Sequence, residues 1–78
     1  MNSNQQILLQ RISLKPGLMG GIPTIRNMRF TVSDILEMLA SGMTEAEILE
    51  QHSILEAEDI QAAKLFTSLN ISFGKGGY

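Results

Sequence analysis

His52 is the only histidine and cysteine is absent, so the usual general bases, thiolate nucleophiles and soft metal ligands reduce to a single imidazole. A lone histidine at a helix end caps carbonyls or faces solvent more readily than it catalyses, because proton transfer needs an orienting group beside it. Glu47, Glu50, Glu56, Glu58 and Asp59 form the densest set of carboxylates. They stand near two helix starts, where negative charge complements the helix dipole, and that explains them without an ion. Gly20-Gly21 lacks the strand-loop-helix setting of a phosphate cradle, and Pro23 removes one backbone donor. No helix follows Gly74-Lys75-Gly76-Gly77, which excludes the same role there. No catalytic residue, cofactor or metal is expected, and the chain reads as a non-enzyme.

What remains is ionic. Arg11, Lys15, Arg26 and Arg29 precede residue 31 with no acid among them, whereas eight acids face only Lys64 and Lys75 after it, for a net charge of −2. Such a division can orient a nucleic acid, another protein or a second copy. The four cations are the first candidates for DNA contacts; their alternative role is pairing with acids of this chain or its mate. Gln61 and Lys64 complete the DNA-contact candidates, as the only residues of the last predicted helix suited to a groove. Glu56, Glu58 and Asp59 at its first turn would repel phosphate.

These residues need elements to hold them. Arg11-Ile12-Ser13-Leu14 alternates and is broken by Pro16-Gly17, so it reads as a short strand. Gly20-Gly21 supplies positive φ for a turn, and Pro23 holds Ile22 extended. Thr24-Ile25 and Phe30-Thr31-Val32 then read as strands of a small ribbon around Arg26-Asn27-Met28-Arg29. From Val32 the period becomes helical: Val32, Ile35, Leu36 and Leu39 share a face, Thr31 or Ser33 caps the start, and Gly42 ends it. Thr44-Glu45-Ala46-Glu47 matches a capping box ahead of a short second helix. Ser53 through Glu56 turn, and a third helix runs over residues 57–69, with Ala62, Leu65, Phe66 and Leu69 on one stripe and Ile60 extending it.

The expected fold is therefore mainly α, a three-helix bundle with a short N-terminal β-ribbon. Residues 1–10 read as an N-terminal tail, 11–69 as the domain and 70–78 as a flexible glycine-rich tail. Turns of two to four residues between the helices fit a helix-turn-helix, the second and third helices forming the candidate pair. With 78 residues and no disulfide or metal staple, a single core contributes only a few kcal/mol, so a homodimer is expected. No apolar run nears the roughly 18 residues that span a bilayer, and residues 1–6 lack an export signal's basic and apolar segments, so the chain reads as cytoplasmic and without a membrane partner.

One string of residues is more specific than composition. Gly20-Gly21-Ile22-Pro23-Thr24-Ile25-Arg26 is followed by Arg29-Phe30-Thr31-Val32, Ile35-Leu36, Leu39-Ala40-Ser41-Gly42-Met43-Thr44, Glu47-Ile48-Leu49, Leu55 and Glu58-Asp59-Ile60-Gln61-Ala62-Ala63. In order and spacing, from Arg11-Ile12 to roughly residue 67, this resembles a prokaryotic family catalogued as domain of unknown function 433. The chain departs from the family pattern at Asn27-Met28-Arg29, where Gly-Thr-Arg is usual, and at His52-Ser53, where Tyr-Pro is usual. Asn still tolerates the left-handed conformation that the replaced glycine would adopt.

The resemblance implies a homeodomain-like helix-turn-helix with an N-terminal ribbon, acting as a VapB-type antitoxin whose gene neighbours one for a PIN-like nuclease. On that reading the chain is an adaptor that binds the nuclease and promoter DNA, with Leu65, Leu69, Ile71 and Phe73 as partner-binding candidates. Two rival readings are a stand-alone dimeric DNA-binding regulator and a structural dimerisation module. A ribbon-helix-helix repressor fits less well, having two helices where three segments are helical here.

Overall fold

A computed structural model describes residues 2–69. The ribbon comes from β1 (Ile12–Ser13) and β2 (Thr24–Ile25), paired antiparallel with Ile12 opposite Ile25 and Ser13 opposite Thr24. The connection between them is tightened by Met19, Gly20 and Gly21, all with positive φ. Beyond β2 the chain reverses at Ile25–Met28, where the Met28 amide donates to the Ile25 carbonyl at 2.8 Å. Arg26 (φ 44°) and Asn27 (φ 61°) occupy the central positions, giving the left-handed pair of a type I′ turn. Thr31 then bridges back to Thr24, so the third predicted strand is reduced to one residue pair.

Among the described residues the α-helices are α1 (Ser3–Leu9), α2 (Val32–Ala40), α3 (Glu45–Gln51) and α4 (Ala57–Leu69). The last three begin and end close to where their polar signals place them. The Thr31 hydroxyl accepts the Asp34 amide while Asp34 accepts the Thr31 amide, and Thr44 with Glu47 repeats this exchange. Each box satisfies two amides that the first helical turn leaves unpaired. Gly42, at φ 101°, ends α2: its amide reaches the Leu39 carbonyl and that of Met43 reaches Met38, the two bonds of a Schellman motif.

The class is as expected, mainly helical with a short ribbon, but the described residues form four α-helices where three were expected. Residues 3–9, read from the sequence as a tail, form α1. Its start carries a readable signal: the Asn2 side chain accepts the Gln5 amide and Gln5 accepts that of Asn2, a capping box built from amide side chains. A helix of seven residues is not stable alone, so α1 depends on packing against α4.

The core draws on β2, the three later helices and the turn before α4. Ile25 from the ribbon, Val32 and Ile35 from α2, Ile48 from α3, Leu55 from the following turn, and Ile60 and Ala63 from α4 form one buried cluster. Leu36, Leu39 and Phe66 pack against it half-buried, in keeping with their places on the predicted stripes. Helix α4 contacts α1, α2, α3 and β1, which explains why Asp59, Ile60, Ala62 and Ala63 are all buried. That buried arc is broader than a single amphipathic stripe would require. Two small alanines let neighbouring backbones approach a helix that carries few large side chains on this arc.

Candidate functional site

Asp59 is fully buried at the third position of α4 and takes hydrogen bonds from three directions. Arg26 grips it side-on, with Nε 3.0 Å from Oδ1 and Nη2 2.8 Å from Oδ2. Arg11 Nη1 reaches Oδ1 at 2.9 Å and Glu56 Oε1 at 2.7 Å. The Glu56 amide donates to Oδ2 at 2.8 Å, so the same carboxylate also caps α4. Arg26 Nη2 further donates to the Ile54 carbonyl at 2.7 Å. One buried anion thus ties both strands of the ribbon to the turn before α4 and to α4 itself.

The local sequence explains how these groups meet. Arg11 and Arg26 are adjacent across the ribbon, the Arg26 amide donating to the Arg11 carbonyl at 2.8 Å. Arg26 adopts a left-handed backbone that costs a non-glycine residue about 1–2 kcal/mol, and its hold on Asp59 and Ile54 compensates. Burial alone would raise the Asp59 pKa, but the bonds from Arg26, the Glu56 amide and Arg11 outweigh it and hold the carboxyl below its ordinary value. Arg11 is held above its usual value chiefly by Glu56, then by Asp59, and Arg26 chiefly by Asp59. Asp59 is therefore a structural anion with two resident cations.

Two more DNA-contact candidates are engaged on the surface. Gln61 Nε2 donates to Glu45 Oε1 at 2.9 Å, and Lys64 Nζ pairs with Glu45 Oε2, joining α4 to α3. Lys15 and Arg29 make no ion pair among the described residues. Arg29 has one weak contact, to the Met19 sulfur at 4.0 Å. The six candidates therefore separate: Arg11 and Arg26 join at Asp59, Gln61 and Lys64 join at Glu45, and Lys15 and Arg29 stand apart at the ribbon.

His52 caps the end of α3 through its backbone and packs its half-buried ring edge-on against Phe30, the ring centroids 5.2 Å apart. No group of three or more metal-ligating side chains is found among the described residues. Among the same residues, no helix is long and apolar enough to cross a membrane.

The family model described as protein of unknown function (DUF433) matches residues 12–67, most of the chain and nearly all of the described fold after α1. The chain belongs to the DUF433 family. A crystal structure of a DUF433 member from Anabaena variabilis, determined at 2.00 Å, superposes with a TM-score of 0.75 at 33% identity, covering 86% of this chain and 66% of that one. The uncharacterized protein y4eO of Sinorhizobium fredii is 30% identical over 59 residues, covering 76% of this chain. The present chain spans only 27% of the length of y4eO.

Within the DUF433 match lie Arg26, Glu56 and Asp59, while Arg11 falls one residue before it. Of the partner-binding candidates on this DUF433 chain, Leu65 is half-buried and Leu69 is exposed. Ile71 and Phe73 lie outside the described residues. Apolar exposure occurs elsewhere too: Ile7, Leu14, Ile22 and Ile54 are large side chains open to solvent. Extending the β1–β2 register by one pair sets Leu14 opposite Pro23, beside Ile22, so these two exposed side chains fall at the same end of the ribbon. Sequence reasoning passed over them because each, read singly, is an ordinary strand residue.

Proposed function

We propose that this DUF433 chain is an antitoxin-like adaptor whose primary partner is a protein, a PIN-like nuclease, and that any contact with promoter DNA is secondary to that complex. The observation that carries the preference for protein is how the polar donors are used. Arg11, Arg26, Gln61 and Lys64 are occupied by carboxylates of the same chain, so contacting phosphate would first require breaking those bonds. Of the six candidates only Lys15 and Arg29 remain, and two cations contribute little to affinity through counterion release. Against this, Leu14 and Ile22 offer apolar area at one end of the ribbon, and Leu69 adds more at the end of α4.

The nuclease, the homodimer and the helix-turn-helix reading come from the family resemblance and from the small size of the core. The chain supplies a binding surface and no catalytic step. Co-expression with the adjoining nuclease gene tests the assignment: growth inhibition by the nuclease is relieved, and the two chains co-purify through washing at high salt. Failure of both overturns it. The rival reading, a self-standing DNA regulator, requires binding to an upstream DNA fragment without any nuclease, weakening steeply as salt rises.

A further inference from the structure

We propose that an open cleft between the ribbon turn, α2 and the end of α3 receives an arginine side chain of a protein partner. The cleft is lined by Arg29, Phe30, Asp34, Glu37, Met38 and His52 and has a volume of about 420 Å³. It is open to solvent on one side and has room for one long side chain.

Its chemistry is selective. Asp34 and Glu37 sit one helical turn apart on α2. Asp34 uses Oδ2 to accept the Thr31 amide at 3.0 Å, which leaves Oδ1 open. The exposed Glu37 carboxylate has no partner among the described residues. Two of the lining side chains are the edge-on rings of Phe30 and His52, with an interplanar angle of 77°. A third, Met38, presents a polarisable thioether. Carboxylates beside aromatic rings and a thioether favour a planar, delocalised cation, which can fork onto an acid and stack at once. A lysine ammonium gains the charge attraction with less of the stacking, and a nucleotide phosphate meets two carboxylates. Arg29 is drawn toward the Met19 sulfur and weakens a cationic ligand only partly, being one positive charge against two negative ones.

This site deepens the adaptor reading, on which it rests for the ligand being part of a protein. Its test contains no nuclease and so succeeds or fails independently of complex formation. The whole chain, labelled with nitrogen-15, is titrated with N-acetyl-arginine amide, with the neutral isostere N-acetyl-citrulline amide and with adenosine monophosphate. Saturable shifts at Phe30, Asp34, Glu37, Met38 and His52 are expected with the arginine probe alone. Glu37→Gln removes a carboxylate that forms no bond among the described residues and weakens binding about fivefold, whereas Arg29→Ala tightens it about twofold. No saturable shift at tens of millimolar probe overturns the proposal. So does an equal response to citrulline, a response to the nucleotide in place of arginine, or unchanged affinity in Glu37→Gln.

Discussion

Replacing Asp59 with alanine removes the acceptor shared by Arg26, Arg11 and the Glu56 amide. Loss of the cap alone costs about 1 kcal/mol. Breaking a buried ion pair by deleting one partner costs about 3–5 kcal/mol, mostly from the charge left behind. Here the stranded groups are arginines whose side chains already keep 26% and 33% of their surface exposed, so they can turn partly to water. The combined loss is therefore placed at the low end, about 3 kcal/mol. A domain of 78 residues has a total stability of about 4–12 kcal/mol, so the variant forfeits a quarter or more of it. At about 4–8 °C per kcal/mol for a domain of this size, the melting temperature falls by about 12–24 °C. Circular dichroism during heating and in urea measures the loss directly. Asp59→Asn, which keeps an acceptor for the cap and for one arginine, loses about half as much. Arg29→Ala removes an arginine with no ion pair among the described residues and changes stability by less than about 0.5 kcal/mol. A fall of less than about 5 °C for Asp59→Ala would refute the idea that this carboxylate fastens the ribbon to α4.

Three further outcomes follow from the same geometry. Because the Asp59 pKa is lowered in the folded state, its stabilisation is complete above the ordinary aspartate value of about 3.9 and is lost as pH falls through the folded value. Urea midpoints measured from pH 6 downward should decline through that acidic window, and Asp59→Asn should show a shallower decline than the parent chain. Gly42→Ala meets no atom within 4 Å but must hold φ at 101°, so calorimetry should show a loss of about 1–2 kcal/mol from backbone strain alone. Thr31→Ala opens the capping box of α2 and should cost about 1 kcal/mol by the same assay, with hydrogen exchange accelerating in the first turn of that helix.

The helix boundaries were legible because their causes are local. Thr31 with Asp34, Thr44 with Glu47, and Gly42 each act within a few residues of the end they define. Asn2 and Gln5 form the same kind of box, yet no spaced apolar stripe follows them, and only packing on α4 makes the segment a helix. The ionic site was legible only in its ingredients. Charge segregation along the chain marked the arginines, but Arg11 and Asp59 stand 48 residues apart and Arg26 and Asp59 stand 33 apart. No local pattern reports which acid a cation will meet, or that the meeting place is buried. The link from Gln61 and Lys64 to Glu45 has the same character, since it exists only once α3 and α4 pack together. Arg26 is a partial exception: a long side chain in a left-handed turn needs something to hold it, and the Asn27 beside it was a readable sign of such a turn.

Whether the surface serves a protein is decided most directly by the mass of what forms in solution. Size-exclusion chromatography with light scattering, on this chain mixed with the product of the adjoining nuclease gene, should give one peak at the mass of a stoichiometric complex. Leu14→Glu, at an exposed ribbon position, should return the two components to separate peaks while leaving the circular dichroism of the free chain unchanged. Two separate peaks from the unaltered chains, in a mixture where this chain alone shifts an upstream DNA fragment, would contradict the protein-first reading.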